Sequence, residues 1–190
     1  MSSMFIYWTK EIMNKKIIKI KRGKGVFFYI TGLSGSGKST LAKKIKPKIE
    51  KSYGKTLLLH GDEIRKIFSL KKYASKDRKK IAHQYVKLCK KITRNDINVI
   101  LATVSLYDSV RDWNKKNFAN YVEIYIKSDL KKIIKQKQKF FYRKLTNNVV
   151  GISIKPEFPR KPNITIQNNF KIPTNRLSEK LLKKIKNILK

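Results

Sequence analysis

The feature that most constrains this chain is an eight-residue run, Gly32-Leu33-Ser34-Gly35-Ser36-Gly37-Lys38-Ser39. It matches G-x-x-x-x-G-K-[ST] at every fixed position. A buried-strand pattern, VFFYIT at 26–31, leads into it, and a helical stretch at 39–51 leaves it. Each residue type has a physical reason. Glycines let the backbone curl until successive N–H groups point inward at phosphate oxygens. The helix that follows adds free N–H groups and the positive end of its dipole. On this pattern Gly32 to Ser39, with Thr40, form an ATP cradle. Lys38 reaches the β- and γ-phosphates, and Ser39 offers its hydroxyl to a Mg²⁺ ion that enters with ATP.

The rest of the chain alternates in the same way. Further buried strands are expected at 56–59, 97–104 and 121–126, with a short fifth at 164–166. Helices are expected over 77–93, where Ile81, Tyr85, Leu88 and Ile92 share a face, and over 176–190. A very basic helix or lid is expected at 129–144. Pro47 is expected to end or kink the first helix. Residues 17–21 alternate weakly, as a short edge strand would. Strand–helix alternation implies an α/β fold with a mainly parallel sheet. With 190 residues one domain is expected: an irregular extension at 1–24, a core at 25–166 and a C-terminal amphipathic helix.

Charge separates the classes of partner. There are 47 basic and 12 acidic residues, a net charge of +35. Such a balance suits a nucleic acid or an anionic surface. Only eight of the basic residues are Arg, however, and the remainder are Lys spread along the whole chain. Arg is the residue of bidentate phosphate and base recognition. The charge is therefore discounted as a sign of a nucleic-acid partner, although it should raise the local concentration of any polyanionic ligand. One cysteine, Cys89, allows no internal disulfide and no Cys-based zinc cage. A reducing cytoplasm fits, and no apolar run approaches membrane-span length.

On the acceptor side, the strand at 56–59 runs into His60-Gly61-Asp62-Glu63-Ile64-Arg65. A carboxylate here can take the proton of an attacking hydroxyl, and an Arg three residues on can hold the acceptor's negative charge. Asp62 and Arg65 have that spacing, although an N-cap Asp followed by a solvated Arg would give the same pattern. His60 reads equally as a hydrogen-bonding group near the γ-phosphate or as a polar strand-end residue. His83 reads as a surface or acceptor-pocket residue, and Cys89 as a buried, inert thiol.

Taken in order, GLSGSGKSTLA (32–42), GDEIR (61–65), Asp77-Arg78, VSLYDSVR (104–111), VEIYI (122–126) and GISIKPEFPRKP (151–162) resemble the adenylylsulfate kinase family. The resemblance covers roughly 24–166. It implies a P-loop kinase fold with a mobile lid, often dimeric. It also implies transfer of the γ-phosphate of MgATP to the 3′-hydroxyl of adenylyl sulfate. It further implies catalytic roles for Asp62 and Lys38, and acceptor-binding roles for Arg65, Tyr73, Arg78, Ser105, Arg111 and Lys139. Departures from the family pattern fall mainly on the acceptor side. His60 replaces the first Asp of D-G-D, Ala74 a Ser, and Leu106 the Pro of S-P-Y. Ile81 and His83 stand where the family has Asn and Arg. Residues 136–142 read QKQKFFY in place of R-D-P-K-G-L-Y. Such a set fits an altered acceptor, for which a cytidine-diphosphate-linked phosphoramidate or sugar is one case, as well as it fits drift. A polynucleotide kinase is the reading that the charge alone would favour.

Overall fold

A computed structural model describes residues 17–136 and 148–190. Five strands form one parallel sheet: β1 (Val26–Thr31), β2 (Thr56–His60), β3 (Asn98–Thr103), β4 (Asn120–Lys127) and β5 (Ile164–Gln167). Their order across the sheet is β2-β3-β1-β4-β5. The helices are α1 (Lys38–Tyr53), α2 (Gly61–Ile67), α3 (Ser75–Thr93), α4 (Asp108–Asn117), α5 (Leu130–Lys135) and α6 (Thr174–Ile188). The expected α/β fold is present.

Because β1 is buried along its whole length, its alternate residues feed two cores. Val26, Phe28 and Ile30 pack with Leu41, Ile45 and Ile49 of α1 and Leu181 and Ile185 of α6. Phe27 and Tyr29 face the other way, toward Ile81, Tyr85 and Val86 of α3 and Val110 of α4. A smaller cluster joins Leu33, Leu106, Ile133, Val149, Val150 and Ile154. It roots the start of the phosphate loop against α5 and the 149–154 segment.

The order of the strands fixes where a ligand goes. The chain leaves β1 for β2 through α1, and leaves β3 for β4 through α4, passing β1 on the way. The connections diverge at the neighbouring pair β1 and β3. Open parallel sheets leave their binding crevice there, at the C-terminal ends of the strands.

Several expectations need correction. Pro47 does not end α1, which continues to Tyr53. Pro47 lies on the exposed face, where water can satisfy the carbonyl its missing N–H leaves free. Residues 17–21 join no sheet; Ile18 makes an isolated parallel bridge to Leu189, and Ile18 N–H donates to the Ile188 carbonyl at 2.7 Å. The helix in the basic stretch, α5, ends at Lys135 with Gln136 as its C-cap, and residues 137–147 lie outside the described ones. Two helices, α2 and α4, were not expected. Among the described residues no helix is long and apolar enough to cross a membrane.

Candidate active site

Three stretches of the chain bring the motif residues to one cavity of about 170 Å³. The phosphate loop and first turn of α1 supply Ser34, Gly35, Gly37, Lys38, Ser39 and Thr40; β2 and α2 supply His60, Gly61 and Asp62; β3 supplies Ala102 and Thr103, with Val104 just beyond it. The loop is sterically determined. A Cβ on Gly32 would stand 2.5 Å from the Ile126 carbonyl oxygen of β4. Gly37, at φ 93°, turns the chain into α1 through left-handed space that side chains avoid, and a Cβ there would meet Asn168 Nδ2 at 2.9 Å. Lys38 is buried, and its ammonium donates to the Leu33 carbonyl at 2.7 Å, across the mouth of the loop. The buried Ser36 hydroxyl has no hydrogen-bond partner among the described residues.

Asn168 is a residue the motif reading missed. It is buried just after β5. Its Nδ2 donates to the Ser36 carbonyl at 3.0 Å, its Oδ1 accepts from Phe170 N–H at 3.0 Å, and its own N–H donates to Lys127 O at 2.9 Å. One residue thus ties the phosphate loop, through its side chain, to the end of β4, through its backbone N–H. A lone Asn in a polar stretch carries no sequence signal for that.

Asp62 is exposed in the first turn of α2, on the cavity wall formed by β2. Arg65 follows one turn later, and its guanidinium donates to the carbonyls of Leu70 and Lys72 at 2.9 and 3.1 Å. Arg78, in the first turns of α3, donates to Tyr73 O at 2.8 Å and Asn148 O at 2.9 Å. Both guanidinium carbons lie over the Tyr73 ring, at 4.6 and 5.0 Å from its centroid. Arg65, Tyr73 and Arg78 therefore form one group. Burial, and then the like charge of Arg65, lower the Arg78 pKa below its ordinary value, a cost that an arriving anion would relieve.

The structure puts Arg111 elsewhere. It is 2% exposed and does not line the cavity. Its guanidinium pairs with Asp108, donates to Glu157 O at 2.7 Å, and lies 3.4 Å from the Glu123 carboxylate. Two of its guanidinium nitrogens thus serve carboxylates and a carbonyl inside the fold, while the buried Nη1 has no hydrogen-bond partner among the described residues. Burial raises the Glu123 pKa, opposed by Lys115 and Arg111. Ser105 is buried between these layers. Its carbonyl accepts from Tyr29 Oη and Thr31 Oγ1 at 2.8 and 3.1 Å, and its hydroxyl has no partner among the described residues. Lys139 lies outside the described residues, as do Phe140, Phe141, Tyr142 and Arg143.

His83 is half-buried between α3 and α4, with Nε2 3.5 Å from Ser109 Oγ. Cys89 is buried, and desolvation pushes its thiol up to about 12, as an inert core thiol requires. A second cleft, of about 730 Å³, opens on the other side of the phosphate loop, lined by Leu33, Tyr125, Ser128, Leu130 and Phe158 among others. It is the larger, but the phosphate-loop residues Ser34 to Thr40 and Asp62 line the smaller one.

The adenylylsulphate kinase family model matches residues 24–167. This chain belongs to that family. A cytidine diphosphoramidate kinase of Campylobacter jejuni is 34% identical over 160 residues, spanning 80% of this chain and 94% of that protein. A probable adenylyl-sulfate kinase of Pyrococcus abyssi is 28% identical over 170 residues, 87% of this chain and 97% of the relative. Among solved structures, the Mycobacterium tuberculosis APS kinase in complex with AMPPNP and APS superposes with a TM-score of 0.76. It is 18% identical and covers 86% of this chain and 98% of its own, a likeness of fold. As a family member the protein is a P-loop kinase, a phosphotransferase with nucleotide substrates and a hydroxyl acceptor.

Proposed function

We propose that this kinase moves the γ-phosphate of MgATP to the ribose 3′-hydroxyl of a cytidine-diphosphate-linked phosphoramidate, rather than of adenylyl sulfate. The observation that carries this is the 34% identity over 160 residues to the cytidine diphosphoramidate kinase, against 28% to the probable adenylyl-sulfate kinase. The departures from the family pattern on the acceptor side support it. Ile81, standing where the family pattern has Asn, is buried with Ile64 and Tyr85 and offers no hydrogen bond. Leu106, in place of Pro, packs with Leu33 and Ile133. A pocket that has lost a polar contact rejects the ligand that used it, because that ligand's group then goes unpaired.

Gly32 to Thr40 would hold the triphosphate, with Lys38 turning from Leu33 O to the β/γ-phosphates. The Ser39 hydroxyl is exposed at the first turn of α1, a hard oxygen donor of the kind Mg²⁺ prefers. Among the described residues no three His, Cys, Asp or Glu groups gather as a metal cage. The phosphates themselves would therefore complete the coordination, and bound Mg²⁺ supplies charge neutralisation. Asp62 would orient the acceptor hydroxyl and take its proton. Arg65 and Arg78 would exchange their backbone carbonyls for the acceptor's diphosphate. Ser105 would add its unpartnered hydroxyl, and Lys139 would close from the lid. Little covalent work falls to the protein, since phosphoryl transfer depends on position and charge.

The test is catalytic efficiency with labelled ATP on cytidine diphosphoramidate, adenylyl sulfate and nucleic-acid 5′ ends. At least a tenfold preference for the cytidine acceptor is expected, the size of one or two lost polar contacts. Preference for adenylyl sulfate would make the departures drift. Transfer to 5′ ends alone would overturn the acceptor reading.

A further inference from the structure

His60 is the one histidine in the cavity wall, and no step above uses it. It ends β2. Along that strand Thr56, Leu58 and His60 point to one face, and Leu58 packs against the core beneath α1. Ala102, the strand partner of His60, belongs to the same core. The imidazole is therefore directed toward the first turn of α1, and it lines the cavity with Gly37, Lys38, Ser39 and Asp62. It is 7% exposed, yet neither ring nitrogen has a hydrogen-bond partner among the described residues. Folded proteins pair the great majority of buried polar groups, so an orphaned imidazole in a cavity wall calls for a ligand.

The surroundings say which ligand. The cavity gathers donors: the Lys38 ammonium, loop N–H groups and the open N-terminus of α1. An imidazole N–H adds one more, from the opposite wall. A group that touches both the phosphate loop and the wall shared by His60 and Asp62 lies between nucleotide and acceptor. That is the position of the phosphate in transit. The family pattern carries Asp at this place, and a carboxylate cannot donate to a phosphate oxygen, whereas an imidazole can.

We propose that His60 donates a hydrogen bond to the terminal phosphate of the bound nucleoside triphosphate, so that this site distinguishes triphosphate from diphosphate through a direct side-chain contact. The proposal rests on the ATP reading of the phosphate loop. Nuclear magnetic resonance of the imidazole nitrogens tests it, because the chain has two histidines and His83 serves as internal reference. Magnesium AMPPNP is expected to shift the His60 signals, magnesium ADP to leave them near their free positions, and His83 to respond to neither. In calorimetry His60→Leu is expected to weaken AMPPNP binding about tenfold or more, and ADP binding by less than about twofold. His60→Asn, which keeps a donor, should recover part of the loss. The melting temperature of nucleotide-free His60→Leu should be unchanged or higher, since an unpaired buried ring is replaced by an apolar one. Should His60→Leu fail to fold, the wild-type spectra decide alone. AMPPNP binding with unmoved His60 signals, or equal losses for AMPPNP and ADP, would overturn the proposal. If wild-type protein bound neither nucleotide, the phosphate-loop reading itself would fall, and this proposal with it.

Discussion

Asp62 and Lys38 face one small cavity from different elements, and they differ in what they can afterwards be replaced by. Lys38 is buried and held against Leu33 O, so its substitution disturbs the loop as well as the chemistry. Asp62 is exposed, and no ion pair to it is among those of the described residues. Asp62→Asn keeps the shape and tests the proton-accepting role cleanly. Turnover is expected to fall about 10²–10⁴-fold, with AMPPNP affinity nearly unchanged. Stopped-flow or steady-state rates beside calorimetry would check both halves. Collapse of AMPPNP binding with normal turnover of bound ATP would instead place Asp62 in the nucleotide site.

At the scale of elements, α4 is held by charge where the others are held by apolar packing. Its buried residues are Val110, Arg111 and Asn114, and Arg111 links Asp108 at the start of the helix, Glu157 of the 151–162 segment and Glu123 of β4. Arg111→Ala leaves Glu123 buried with only the partly exposed Lys115 as counter-charge. Removing one partner of a buried pair costs about 3–5 kcal/mol. Denaturant unfolding should show a loss of that order, with melting well below wild type, before any effect on acceptor binding is read. Stability near wild type together with a large acceptor defect would restore Arg111 to the binding surface. The same chemistry explains why α4 was not legible. DSVRDWNKKN offers Val110 as its one fully buried apolar residue, so there is no 3.6-residue apolar period to detect. The short α2, GDEIRKI, buries only Gly61 and Ile64. The strands and α1, α3 and α6 were legible because apolar residues supply their packing. The phosphate loop was legible because its backbone geometry demands glycine at fixed spacing. Asn168 acts through contacts with residues distant in sequence, which no local pattern encodes.

For the whole molecule, the question is what a net charge of +35 does in a nucleotide kinase. Its Lys residues lie on many exposed surfaces, including Lys43, Lys44 and Lys48 of α1, Lys79 and Lys80 of α3, and Lys180 and Lys183 of α6. A coat spread over several elements makes a long-range field rather than a site. Such a field attracts both polyanionic substrates and acts on encounter, not on the bound complex. It is screened within about 8 Å at 0.15 M salt. The expected signature is a kcat/KM for the nucleotide acceptor that falls about tenfold between roughly 20 and 300 mM salt, while kcat changes less than about twofold. Single-stranded DNA should compete at the low end and lose its effect at the high end, because binding that rests on phosphate neutralisation alone collapses with salt. A kcat/KM independent of salt would mean that the field does not steer. Inhibition by DNA that persisted at 300 mM would mean that the Lys residues form a specific nucleic-acid groove, the conclusion that the scarcity of Arg argues against.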